Sequence, residues 1–121
     1  MNHENVASFV MRLLHARTDA QIMHWQTNSF SEHMALGDFY DDLAGLIDNY
    51  VEAFQGIYGI IEEYPDGYIA PSKDVLLEMQ DLGETVASMR EGLPEDSELQ
   101  NIVDEIAALI DQTIYKLRFL K

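Results

Sequence analysis

The feature that most constrains this chain is the spacing of its apolar residues between positions 31 and 61. Leu36, Phe39, Leu43, Leu46, Ile47, Tyr50, Phe54, Ile57 and Ile61 recur along it every three or four residues. That interval returns a side chain to the same face of an α-helix, and it does not fit the alternation that a half-buried strand needs. A second helix is expected over 4–28, with Val6, Phe9, Val10, Leu13, Arg17, Ala20 and His24 on one stripe. Two more are expected, over 73–91 (Val75, Leu76, Met79, Leu82, Val86, Met89) and 96–120 (Leu99, Ile102, Val103, Ile106, Ile110, Ile114, Leu117). Amphipathic helices of this kind bury their stripes against one another. The 121 residues suffice for one core and not for two comfortable ones. The expected fold is therefore all-α, a four-helix bundle in which 1–121 form a single domain.

Connections set the order of the helices. The turn "TNSFS" at 27–31 offers Ser29 or Ser31 as the N-cap of the second helix, and Ser72 would cap the third. Short links make the first and last pairs antiparallel hairpins. The middle link, with a Pro65-Asp66-Gly67 turn, is read as about ten residues, which span about 33 Å when fully extended. A twenty-residue helix is about 30 Å long, so a lengthwise crossover requires this link to be taut.

Charge narrows the function classes. Seven basic and 22 acidic residues leave a net charge of −15, which repels phosphate backbones, so direct DNA binding is not expected. Acid-lined surfaces attract cations instead, although the same charge also serves plain solubility. With no cysteine, disulfides, thiolate zinc sites and thiol nucleophiles are excluded, which suits a cytoplasmic protein. The N-terminal stretch has neither the basic nor the long apolar region of a signal peptide. No apolar run is long enough to cross a membrane.

The long helix has a second face. Counting about 100° per residue from His33, its apolar residues fall between about 220° and 320°. His33, Gly37, Asp41, Ala44, Gly45, Asp48 and Glu52 fall between about 0° and 120°, on the outward side. Acids alone there would read as a solvated face. Gly37 and Gly45 each destabilise a helix by about 1 kcal/mol relative to alanine, and close approach of another helix would account for them. This face is read as a subunit interface.

His33 and Asp48 lie fifteen residues apart, about 22 Å along a helix. One chain cannot bring both to the same ion. Two copies of the helix, antiparallel about a two-fold axis and crossing near residues 40 to 43, would set His33 of one against Asp48 and Glu52 of the other. Those two acids are four residues apart and so can converge on one ion. His24, folded back by the 28–31 turn, would join His33. Each residue also has a plainer reading: His24 as a packed core histidine and Trp25 as packing, while nothing recommends His3 or His15 as ligands.

The segment from His24 to Glu52 resembles the ferroxidase region of the Dps proteins, miniature members of the ferritin-like superfamily. The residues that carry the resemblance are the His24-Trp25 pair, His33, Asp48 fifteen residues on and Glu52 four beyond it, with Leu36, Phe39 and Leu43 between. The likeness covers about 30 residues closely. It implies a ferritin-like bundle and an iron site shared across a two-fold interface, with His24 and His33 from one chain and Asp48 and Glu52 from its mate. It also implies Fe(II) oxidation by oxygen or peroxide at these four residues, as in defence against oxidative stress, and ferric storage inside a homo-oligomeric, dodecameric cage. A mixed nitrogen and oxygen donor set also admits Zn(II) and Mn(II) as competitors. The chain departs from the pattern where the family often has an acid four residues after the second histidine. Gly37 stands there, with Asp38 and Asp41 nearby. The histidines are also about three residues closer than expected, and the basic tail used by some members for DNA is absent. The alternative expectation is an acidic helical oligomer acting as an interaction module or DNA mimic, its metal site vestigial.

Overall fold

The computed structural model describes residues 3–121. Their regular structure is helical: α1 (His3–Gln26), α2 (Phe30–Tyr58), α3 (Val75–Met89) and α4 (Ser97–Phe119), with a single 3-10 turn at Arg90–Gly92 before α4. The chain is an all-α four-helix bundle. Its core takes the sequence stripes almost as written. Leu36, Phe39, Leu43, Ile47, Tyr50 and Phe54 from α2 are buried with Phe9, Val10 and Leu13 from α1, and with Leu99, Val103, Ile106 and Ile110 from α4. Trp25 departs from the packing role expected of it and is 68% exposed.

Two helix ends differ from the pattern for local reasons. α2 stops at Tyr58 rather than at 61 because Gly59 takes a positive φ of 95°, where its N–H bonds back to the Gln55 carbonyl. Only glycine adopts that conformation at little cost. Ile61 is still buried, from outside the helix, while Ile57 is largely exposed. α3 starts at Val75, and its N-cap is Asp74 and not Ser72. The Asp74 carboxylate accepts the Leu77 N–H at 3.1 Å, while the Ser72 hydroxyl donates to Glu78 at 2.9 Å.

The link between α2 and α3 is therefore longer than the sequence pattern indicated, spanning residues 59–74. It needs no tautness to run the length of α1. Ile60 to Glu63 lie by His3 and Glu4 at one end. Midway, the Tyr68 hydroxyl donates to Asp19, and the Tyr68 ring meets His15 edge-on with centroids 5.1 Å apart. Lys73 and Val75 reach Met23, Gln26 and Thr27 at the far end. So α3 runs parallel to α2 and antiparallel to α1, and Gly92 after α3 returns to Asn5. α4 begins where Tyr58 donates to Asp96 and ends beside the start of α2, where Lys116 meets Asp38. The bundle thus has one long crossover, between its second and third helices.

Candidate metal centre

The α1–α2 turn is built to bring two histidines together. Ser29 is the N-cap of α2 and its hydroxyl accepts the Glu32 N–H at 3.3 Å. Glu32 in turn accepts from the Thr27 hydroxyl at 2.6 Å, and the Thr27 oxygen accepts the Ser29 N–H at 3.1 Å. This variant of the capping box closes the hairpin over three residues, 27–29. His24, in the last turn of α1, then stands beside His33, in the first turns of α2.

The two imidazoles stack with centroids 3.6 Å apart and planes 16° from parallel. Their hydrogen bonds are reciprocal. His24 Nδ1 bonds the His33 carbonyl at 2.6 Å, and His33 Nδ1 bonds the His24 carbonyl at 2.8 Å. A carbonyl oxygen can only accept, so both Nδ1 atoms must carry a proton. In the neutral rings both Nε2 atoms then hold free lone pairs, which is the tautomer a metal-ligating histidine adopts when its other nitrogen donates to the backbone. The bond from His33 also satisfies a carbonyl in the last turn of α1, where carbonyls lack a helical donor. The same pair thus clasps the hairpin and presents two imidazole donors. As stacked, the rings lie a van der Waals thickness apart. A metal binds near the plane of its imidazole, so the two Nε2 atoms address two ion positions unless one ring turns.

Gly37 explains how His24 fits. A Cβ at Gly37 would come within 3.1 Å of His24 Cε1 and 3.4 Å of Nδ1, closer than ordinary van der Waals contact. The His24 ring occupies the space a side chain would take. Gly37 therefore does not belong to the open interface face where the helical pattern put it; it is half-buried against its own chain. Tyr40 adds an edge-on contact to His24 at 5.5 Å, and the Arg17 guanidinium lies over the Tyr40 ring. Helical spacing places Arg17 on the stripe with His24 without giving it a role, and nothing in the sequence pattern singles out Tyr40.

The acids stand apart. Asp48 and Glu52 are exposed on α2, about 22 Å and about 28 Å from His33 by helical rise. Among the described residues, no group of three or more His, Asp or Glu side chains gathers within one chain to hold a metal ion. Asp38 and Asp41 are also exposed, and Asp38 meets Lys116 at 3.8 Å. Gly45 is open, with no atom within 4 Å of a Cβ built there. One chain thus carries two candidate half-sites toward opposite ends of the outward stripe of α2, imidazole nitrogens at one end and carboxylate oxygens at the other.

The fold defines the class, a four-helix bundle with one lengthwise crossover. A family described as a family of unknown function, DUF5856, matches residues 24–117, most of the chain, and the chain belongs to that family. The matched span begins at His24 and includes His33, Asp48 and Glu52. No curated protein and no solved structure matches the chain. No helix among the described residues is long and apolar enough to cross a membrane.

Proposed function

We propose that this protein is a Dps-like, cytoplasmic iron protein that binds and oxidises Fe(II) at sites shared between two chains. The observation that carries this reading is the His24–His33 pair, with both Nδ1 atoms bonded to backbone carbonyls, which in the neutral rings leaves both Nε2 lone pairs available to a metal. Antiparallel pairing of two α2 faces supplies what one chain lacks, because it lays the Asp48 and Glu52 carboxylates of a second copy over the histidines of the first. The open surface at Gly45 leaves room for that approach.

In this arrangement Fe(II) is the substrate. The imidazoles bind it without adding charge, and the carboxylates favour the extra positive charge of Fe(III). Each Fe(II) surrenders one electron to dioxygen or peroxide. The acidic surface draws cations toward the site, and a closed homo-oligomer of such dimers would retain the ferric product.

Anaerobic Fe(II) titration followed by addition of oxidant tests the reading. The expected result is saturable Fe(II) binding and oxidation faster than in buffer, with Zn(II) competing. An associated protein that neither binds nor oxidises Fe(II) would leave the interaction-module reading, which the exposure of Asp48 and Glu52 in the single chain favours.

A further inference from the structure

The outward stripe of α2 extends beyond the half-sites. At about 100° per residue from His33, Phe30 falls near 60° and Met34 near 100°, in line with Asp41, Asp48 and Glu52. Phe30 is 77% exposed and Met34 about half exposed. Both line a groove with Ala35, Asp38, Lys116 and Leu120. Tyr115 and Phe119, also exposed, stand on the last turns of α4 with their rings 5.9 Å apart. A soluble chain that keeps large apolar side chains together at its surface keeps them for a partner.

Positive charge is concentrated at the same end. Lys116, Arg118 and Lys121 are three of the chain's seven basic residues, against 22 acids. Lys116 borders the groove, and its contact to Asp38 leaves both side chains well exposed. The stripe thus runs from an apolar end flanked by lysine to an acidic end at Asp48 and Glu52. Two such stripes laid parallel would set acids against acids and lysines against lysines. Laid antiparallel, they complement each other at both ends, while Asp41 meets its own copy at the crossing.

We propose that this groove seats the acidic half of α2 from a second copy of the chain, with Lys116 facing that copy's Asp48 and Glu52. The inference rests on the two-fold arrangement proposed above and adds to it the end of α4. With a crossing around residues 40 to 43, Phe30 comes level with about residue 52 of the other copy and Met34 with about residue 48. Burial of Phe30, Met34 and Leu120 supplies the affinity, and Lys116 selects the antiparallel register.

Sedimentation velocity on the full chain over a concentration series tests this. The variants are Phe30→Ser with Met34→Ser, Leu120→Ser, Lys116→Glu, Gly45→Leu, and Leu77→Ser as an exposed apolar control on α3. Circular dichroism checks the helicity of each, and the altered groove side chains are exposed enough for the bundle to fold without them. Wild type should associate. The groove and Lys116 variants should associate at least tenfold more weakly, and Leu77→Ser should match wild type. If Gly45→Leu dissociates the protein while the groove and lysine variants associate like wild type, this inference is overturned and the two-fold α2 reading stands. If wild type stays monomeric, or if neither Gly45→Leu nor any groove variant weakens association, both are overturned.

Discussion

Replacing Gly37 by alanine separates two explanations of that glycine. In the middle of a helix the change should stabilise by about 1 kcal/mol through propensity alone. Here the new methyl group would meet His24 Cε1 at 3.1 Å, so the ring must retreat by a few tenths of an ångström. That ring is held by its 2.6 Å bond to the His33 carbonyl and by the stack on His33. Weakening one such bond removes about 0.5–1.5 kcal/mol, which offsets the helix gain. The expected net change is near zero. In a His24→Ala background the obstacle is gone, and the same Gly37→Ala change should recover the full gain of about 1 kcal/mol. Urea denaturation of the four proteins in this cycle measures the coupling, expected at about 1 kcal/mol. An equal gain in both backgrounds would refute the claim that Gly37 makes room for His24.

Tyr50 is 1% exposed, and its hydroxyl has no hydrogen-bond partner among the described residues. Tyr50→Phe should therefore raise stability at neutral pH by about 1 kcal/mol, read as a shift in urea midpoint. Burial, with smaller effects from Asp96 and Tyr58, pushes the Tyr50 phenol up to about 12. Because the folded value lies above the unfolded value near 10, the stability it contributes is present below pH 10 and is lost as pH rises toward 12. The variant should lose stability less steeply in that window, and an unchanged slope would count against the buried phenol. With its charge of −15, the protein should not retard duplex DNA at moderate salt; a salt-sensitive gel shift would contradict this.

The core was legible because burial obeys helical periodicity, and Leu36 through Phe54 needed no tertiary information. The start of α2 was legible too, because Ser29 and Glu32 form a local cap. The end of α2 at Gly59 and the cap at Asp74 were misjudged, each by two or three residues. At the end of α2 the apolar pattern continues past a backbone signal: Ile61 is buried but lies outside the helix. At the start of α3, Ser72 and Asp74 are both capping residue types, and it is Asp74 that accepts the Leu77 N–H. The error in the link length followed from those ends, and with it the expectation of a taut crossover. Gly37 was assigned to the wrong neighbour because a helical wheel cannot show that the preceding helix folds its own histidine onto that position. His24 and His33 were read as a pair from the short turn between them. Their reciprocal backbone bonds were not readable, since these depend on how two helix ends meet in space. Met34 already falls on the outward arc of the wheel, and Phe30 joins it once the wheel is extended to residue 30.

Complementation between two inactive variants tests the shared site most directly. One variant lacks both histidines (His24→Ala, His33→Ala) and the other lacks both acids (Asp48→Ala, Glu52→Ala). Each alone should lose Fe(II) oxidation, because every site is missing half its donors. In a mixed dimer one site keeps no donors and the other keeps all four. Random pairing makes half the dimers mixed, so co-assembled protein should regain about a quarter of the wild-type sites. A site contained within one chain cannot be restored this way. Recovery of Fe(II) oxidation in a verified mixed oligomer is the predicted result, and its absence, with wild type active under the same conditions, would contradict the inter-subunit account.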